Sequence, residues 1–324
     1  MKKFIRSKSL CFFNNKGVGK TTIAYNTAVK FAEHGYKTVL VDLDPQCNLS
    51  KLTLDTFGES LFNGRDDNVY GMLKGILKGA DVDLEIPHAQ ISENLQILPG
   101  SIHLTQYENL LITAYNQAAA GQEIYFQTSA ISRYLKQYSM EYDVDLFILD
   151  LSPSLGLLNR VILLGSDYFV APLMPDAFSV QVENLVTLQE RKENRKNTRA
   201  MGQIVADNIL SGELFLGYII NSYNQYNQKP IHAHKDWMKK IPVVDKYISQ
   251  HHCKNGLVNK SSEKSLVDLK DYELAADSHR ANKAIFNLDP GIDFNDVETK
   301  DNWDLANSQF EELFNNLCAI LHKY

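Results

Sequence analysis

Lys20, Thr21 and Thr22 close a short turn, Asn14-Asn15-Lys16-Gly17-Val18-Gly19, which follows four apolar residues, Leu10-Cys11-Phe12-Phe13. An ammonium and a hydroxyl at the start of a helical run, entered through glycines, are the groups that hold phosphate. Backbone N–H groups face the anion there, and the helix dipole favours negative charge. In that arrangement Lys20 reaches the β- and γ-phosphates and the Thr21 hydroxyl sits on a magnesium ion. Asn15, Lys16, Gly17, Val18, Gly19, Lys20, Thr21 and Thr22 then form the cradle for a nucleotide's phosphates, with Mg2+ beside it. A chance GKTT is the competing reading. The apolar stretch before it and two later apolar stretches that end in aspartate speak against chance.

The loop departs from both of its patterns. The ordinary phosphate loop, G-x-x-x-x-G-K-[ST], requires glycine at position 14, where Asn14 stands. The deviant Walker A form, K-G-G-x-G-K-[ST], fits better. Counted back from Lys20, Gly17 takes the second glycine position, Lys16 the first and Asn15 the place of the extra lysine. Equivalently, Lys16 is the extra lysine and one glycine is missing.

The elements that must position these groups alternate between two kinds. Residues 21–34 carry Ile23, Thr27, Ala28 and Phe31 at helical spacing, with Gly35 as a stop. Residues 37–43 (KTVLVDL) form an apolar strand that runs into Asp42, Leu43, Asp44, Pro45 and Gln46. A short helix is expected over 68–78, a strand over 94–98 cut off by Pro99-Gly100, and helices over 104–115 and 129–138. Residues 145–150 (DLFILD) are a strand ending in Asp150, and 167–172 and 214–221 are two more, with a helical pattern at 180–199. Near-continuous apolar strands alternating with helices imply an α/β fold of the P-loop NTPase type: a mostly parallel twisted sheet covered by helices on both faces. Ligands of such sheets sit at the carboxyl ends of the strands, where Asn14, Asp44, Asp150 and Asn221 fall. Residues 221–235 and 255–264 read as polar loops. Residues 302–324 read as a closing amphipathic helix with Phe310, Leu313, Phe314, Leu317 and Leu321 on one side.

Composition narrows the classes. The 324 residues are 44% hydrophobic and carry a net charge of −6, which argues against a protein that coats nucleic acid with its whole surface. No run approaches the length of a membrane span. The basic start MKKFIRSKSLCFF reads as a first strand rather than a signal peptide, because its apolar run is short and leads into the loop. Cys11, Cys47, Cys253 and Cys318 show no C-x-x-C spacing, as expected of reduced thiols in the cytoplasm. His251, His252 and Cys253, with His232 and His234 upstream, are a weak metal set, because adjacent residues cannot easily face one ion.

Taken in order, NNKGVGKTT, VDLDPQCNLS, NLQILPGSIHLTQYE, DLFILDLSPSLGLLNR, DYFVAPLMPDAFSV and LGYIINSY resemble the ParA/MinD family of deviant Walker A P-loop ATPases, most closely its ParA branch. The boxes run from Ser9 to about residue 244. The chain reads as one ParA-like ATPase domain over 1–324, less family-like from about 245. The resemblance implies an ATPase switch that forms a homodimer when ATP-bound and is released by hydrolysis, with a partner protein that stimulates hydrolysis. It implies that Lys16 and Lys20 supply catalytic charge, that Asp150 holds the metal through water together with Thr21, and that Asp44 orients the attacking water. Asp42 then braces the same loop, and Asn221 lies where members read the adenine edge. Asp42 and Asn221 also read simply as turn residues. Ser152, in place of a first proline, is a mild departure; the short glycine loop is not.

Function within the family stays open at this stage. A partition switch that segregates or positions DNA or another cargo is the leading reading. Nonspecific DNA would meet Arg191, Arg195 and Arg199, spaced on one helical face, although these also read as a solvated face. The alternative is a degenerate ATP-binding scaffold with weak or no hydrolysis, because the loop is one glycine short. Membrane positioning of the MinD kind requires a basic amphipathic C-terminal helix, and Glu311 and Glu312 stand on this one. A biosynthetic amide ligase is opposed by the DPQ box, and an iron–sulfur ATPase by the cysteine placement.

Overall fold

In the computed structural model the described residues are 4–14, 17–54, 66–119, 125–154, 156–174, 215–221, 225–226, 229–230, 265–270, 274–289, 291–293 and 297–323. Strands β1 (Lys8–Phe12), β2 (Thr38–Leu43), β3 (Ala89–Ser92), β4 (Leu95–Leu98), β5 (Leu146–Leu151), β6 (Tyr168–Leu173) and β7 (Phe215–Ile220) form one sheet in the order β3-β4-β2-β5-β1-β6-β7. Every pairing is parallel except that of edge strand β3 with β4. The apolar runs at 37–43, 145–150 and 167–172 become β2, β5 and β6, buried along their whole length because helices cover both faces.

Alternation along the strands divides the core. Cys11, Val41 and Leu149 face a layer of α3 (Val69–Leu77), α4 (Leu104–Ala119), α6 (Ala130–Tyr142) and α7 (Leu157–Gly165). Leu10, Phe12, Leu40 and Ile148 face α1 (Lys20–Glu33), α2 (Asn48–Thr53) and the closing helix α9 (Val297–Leu321). The short α5 (Tyr125–Thr128) precedes α6, and α8 (Ala275–Ala281) precedes a turn of 3-10 helix, Ile285–Asn287. Gly35 ends α1 at φ +82°, a left-handed conformation that suits a residue without Cβ. Phe310, Leu313, Phe314, Leu317 and Leu321 are all buried, as the pattern over 302–324 required, but the helix starts earlier, at Val297.

Two departures from the sequence reading concern the last third. Within 221–235, read as turn-like, β8 (Gln225–Tyr226) pairs antiparallel with β9 (Lys229–Pro230). Residues 265–270 run along β7 and cover its edge: the Leu266 N–H donates to the Tyr218 carbonyl at 2.8 Å and the Leu269 N–H to that of Ile220 at 2.7 Å. An edge strand left bare exposes unpaired N–H and C=O groups. Amide side chains seven residues apart on α9 fix this strap: Asn316 donates to the Leu266 carbonyl and Gln309 to that of Asp268, both at 2.7 Å. Asn302 accepts the Lys270 ammonium at 2.8 Å. The expectations for 180–199 and 255–264 and the histidine–cysteine group at 232, 234 and 251–253 lie outside the described residues.

Candidate functional site

The carboxyl ends of β1, β2, β5 and β7 meet around the start of α1. The pairing register sets Asp150 opposite Asp42 on one side and Phe12 on the other. Hence both strand-ending carboxylates lie on one side of the exit of β1, from which the phosphate loop departs, Asp150 next to it and Asp42 one strand further. Just beyond β1 the chain is fixed to β6: the Phe13 N–H donates to the Val170 carbonyl at 3.0 Å, and the buried Asn14 amide donates to that of Pro172 at 2.8 Å. Asn15 and Lys16 lie outside the described residues. Gly17 is exposed, with open space where a Cβ would point.

Gly19 turns the chain into α1 at φ +75°. A Cβ there would come within 2.5 Å of the Asn221 side-chain nitrogen. Glycine is therefore required twice over, by conformation and by space. Asn221 itself, at the end of β7, donates its amide to the Val18 carbonyl at 2.9 Å and its backbone N–H to that of Leu173 at 2.7 Å. It thus ties β7 to the phosphate loop.

Lys20 is 6% exposed at the first position of α1. Burial lowers its pKa, and the carboxylates of Asp150 and Asp44 pull it back up. Thr21 donates its hydroxyl to Asp150 Oδ2 at 2.8 Å, and Thr22 follows in the same turn. Asp150 is fully buried, and its Oδ1 has no hydrogen-bond partner among the described residues. Burial, reinforced by the Asp42 charge, pushes its pKa up to about 8. A buried acceptor with nothing to accept is costly. Here it sits beside a threonine hydroxyl, and hard oxygen donors of this kind suit magnesium.

Asp42 is fully buried as well, with its pKa pushed up to about 6 by burial. Its oxygens are fully used: Oδ2 accepts the Ser50 N–H at 2.9 Å and hydroxyl at 2.6 Å, and Oδ1 accepts the Asp44 N–H at 3.2 Å. Ser50 in turn accepts the Gly100 N–H at 2.8 Å, so one hydroxyl links the ends of β2 and β4 to α2. Asp42 is therefore a brace. Asp44 is 4% exposed and lies on the turn that follows; its oxygens accept the Gln46 N–H at 2.9 Å and the Asn48 amide at 3.4 Å.

Val18, Gly19, Lys20, Thr21, Thr22, Asp42, Asp44, Asp150 and Asn221 are thus gathered at one end of the sheet. Arg191, Arg195 and Arg199 lie outside the described residues. Sequence reasoning missed Ser50, Gly100 and Asn159. Asn159 holds the turn after β5 by donating to the carbonyls of Ser152 at 2.8 Å and Ser154 at 2.7 Å.

Comparison with known proteins agrees with this geometry. The AAA-domain family model AAA_31 matches residues 7–200. An uncharacterised protein of Methanocaldococcus jannaschii is 32% identical over 70% of this chain and 79% of its own length. A virulence plasmid ParA family protein of Chlamydia psittaci is 33% identical over 53% of this chain, which spans 59% of that relative. Among solved structures, a plasmid partition protein of Borrelia burgdorferi bound to AMPPNP superposes with a TM-score of 0.59. The match covers 97% of this chain and 99% of that one, and at 17% identity it speaks to the fold.

Proposed function

We propose that this chain, which belongs to the ParA/MinD family of P-loop ATPases, is an ATP-driven switch of the partition type that segregates or positions DNA or another cargo. The observation that carries this reading is the cluster at the start of α1. There a buried lysine, a threonine hydroxyl and a buried carboxylate with a free oxygen converge next to Gly19. Phosphoryl transfer asks mainly for positioning and charge neutralisation, which such a cluster supplies. Magnesium, held by Thr21 and through water by Asp150, would neutralise charge on the β- and γ-phosphate oxygens. Lys20 would spread its charge over the same oxygens, and the N–H groups from Gly17 to Thr22 would close on them. Asp44 would orient the attacking water, held in place by a turn that Asp42 and Ser50 brace. Asn221 would serve the adenine edge from the end of β7.

ATP-bound protomers would pair across their phosphates and part on hydrolysis, with a partner protein setting the rate. Nonspecific DNA would be met by Arg191, Arg195 and Arg199. The test is Lys20→Ala, measured by fluorescent ATP-analogue binding and by phosphate release. Loss of either supports the assignment; binding and turnover equal to the parent would refute it.

A second reading, ATP binding with little turnover, has one observation in its favour. Asn14 is held to the Pro172 carbonyl, so the strand end does not slide forward to replace the absent glycine. On this reading the missing residue would displace the extra lysine of the pattern relative to Lys20. A misplacement of about an ångström can cost about a hundredfold in rate.

A further inference from the structure

The far end of the sheet carries a second concavity. The N-terminal ends of β1, β5 and β6 and one side of α6 enclose a half-open cavity of about 470 Å³. Small-molecule sites occupy roughly 300–1,000 Å³. Buried Leu135, Val144 and Phe147 give it an apolar wall. Ile5 and Met140 also line it, yet stand 94% and 71% exposed.

Its polar groups fall into two sets. The acids are engaged by the chain itself. Asp167 accepts the Ser9 N–H at 2.8 Å and hydroxyl at 2.9 Å, and Asp145 accepts the Lys37 N–H at 2.8 Å. Asp143 lies 3.8 Å from the Lys37 ammonium. The hydroxyls of Ser132 and Ser139 donate to carbonyls one turn back, at 2.9 and 2.8 Å. By contrast, Arg6 and Lys136 take part in no ion pair among the described residues. The Ser7 hydroxyl is buried without a hydrogen-bond partner among the described residues, a state native proteins seldom leave unexplained. Lys8 borders the cavity too, but its ammonium lies 5.7 Å from the centroid of Tyr168, a ring of the core on the α1 and α9 side. That ammonium too is buried without a hydrogen-bond partner among the described residues, but it lies toward the other face of the sheet and is not grouped with Arg6 and Lys136.

We propose that this cavity binds a small amphipathic organic anion. Arg6 and Lys136 take the anionic head, since a charged acceptor is what the two unspent cations lack, and the Ser7 hydroxyl turns from its buried position to donate to it. The hydrocarbon body lies on Leu135, Val144 and Phe147 and is covered by Ile5 and Met140, whose apolar surface leaves water only when the cavity is filled. A small cation fits this pattern less well, because one carboxylate oxygen each of Asp167 and Asp145 already accepts from the chain's own donors.

The probe is 8-anilinonaphthalene-1-sulfonate, titrated by fluorescence into the full chain and then displaced by octanoate or, as the charge control, by octylammonium. Saturable binding to one site is expected, reversed by octanoate and at least tenfold less well by octylammonium. Arg6→Gln with Lys136→Gln, both on exposed side chains, is expected to weaken octanoate at least tenfold. Melting temperature and Mg·ATP binding at the other end of the sheet are expected to stay unchanged. Ser139→Trp, which fills the cavity, is expected to remove probe and octanoate binding together. Non-saturable probe binding, equal displacement by both octyl compounds, or unchanged octanoate affinity in the double variant would each overturn the proposal.

Discussion

Replacing Asp150 by asparagine separates the cost of a buried charge from everything else in the site. In the folded chain the Asp150 carboxyl titrates at about 8, against an ordinary value of 3.8, because burial and the Asp42 charge oppose its ionisation. The folded state therefore holds this proton more tightly than the unfolded chain does. The stability it contributes is complete below pH 3.8 and is lost as pH rises through about 8. At about 1.4 kcal/mol per unit of pKa, the linkage relation gives a loss of about 4 kcal/mol between pH 5 and pH 8. Against a total stability of about 5–15 kcal/mol for a folded protein, that is a large term. Asparagine has nearly the same shape, can still accept the Thr21 hydroxyl and never ionises. Urea unfolding in metal-free buffer at pH 5, 6, 7 and 8 is the assay. The parent is expected to lose about 4 kcal/mol more than Asp150→Asn across that range. Asp42, raised to about 6, acts in the same direction, and His88, lowered to about 4 by burial, acts in the opposite one. Both remain in the variant and cancel in the comparison. Parallel pH profiles for parent and variant would refute the reasoning, because the carboxyl would then ionise at no cost.

Other changes test the parts of the site one at a time. Asp44→Ala is expected to keep ATP-analogue affinity within a few-fold while phosphate release falls to background, because Asp44 sits on the turn beyond the Asp42 brace; normal turnover would make it a turn residue only. Gly19→Ala puts a Cβ 2.5 Å from the Asn221 nitrogen at a positive φ. The left-handed conformation alone costs about 1–2 kcal/mol. Calorimetry should show a lower melting temperature and ATP-analogue binding weakened at least tenfold, and an unchanged variant would mean that the loop relaxes freely. Inserting a glycine beside Gly17, where the structure leaves open space, is expected to strengthen ATP-dependent dimerisation, read by light scattering, and hydrolysis. A parent that already matches the insertion variant would show the short loop to be harmless.

How much of this was legible in the sequence follows from the range of the interactions. The places of Lys20, Thr21, Asp44 and Asp150 at one end of the sheet were legible because they depend on local events: a turn, a helix start, the end of an apolar strand. The strands themselves were legible because burial on both faces makes them continuous apolar runs, as in TVLVDL for β2. The antiparallel edge β3 was not, because AQIS alternates weakly and is only half buried. Nor was α2, whose six residues follow Cys47 in a left-handed conformation with no capping side chain to announce them. The strap over 265–270 has no period of its own. It is held by backbone bonds to β7 and by amides on α9, and a single sequence cannot pair positions so far apart.

The Asp42–Ser50–Gly100 link shows the same limit inside the site and says what the hidden part does. Aspartate at the end of a strand reads equally as brace, base or turn former, and composition cannot choose among them. Only the parallel pairing of β2 with β4 brings Gly100 to Ser50, and only full burial of Ser50 makes its hydroxyl decisive. Gly100 must also be glycine, since a Cβ there would lie 2.8 Å from the Asp42 carboxyl. The pairing thus fixes Asp42 as the rigid member of the two carboxylates in VDLD. Asp44, two residues on, is held instead by its own turn, through the Gln46 N–H, and its N–H donates to Asp42.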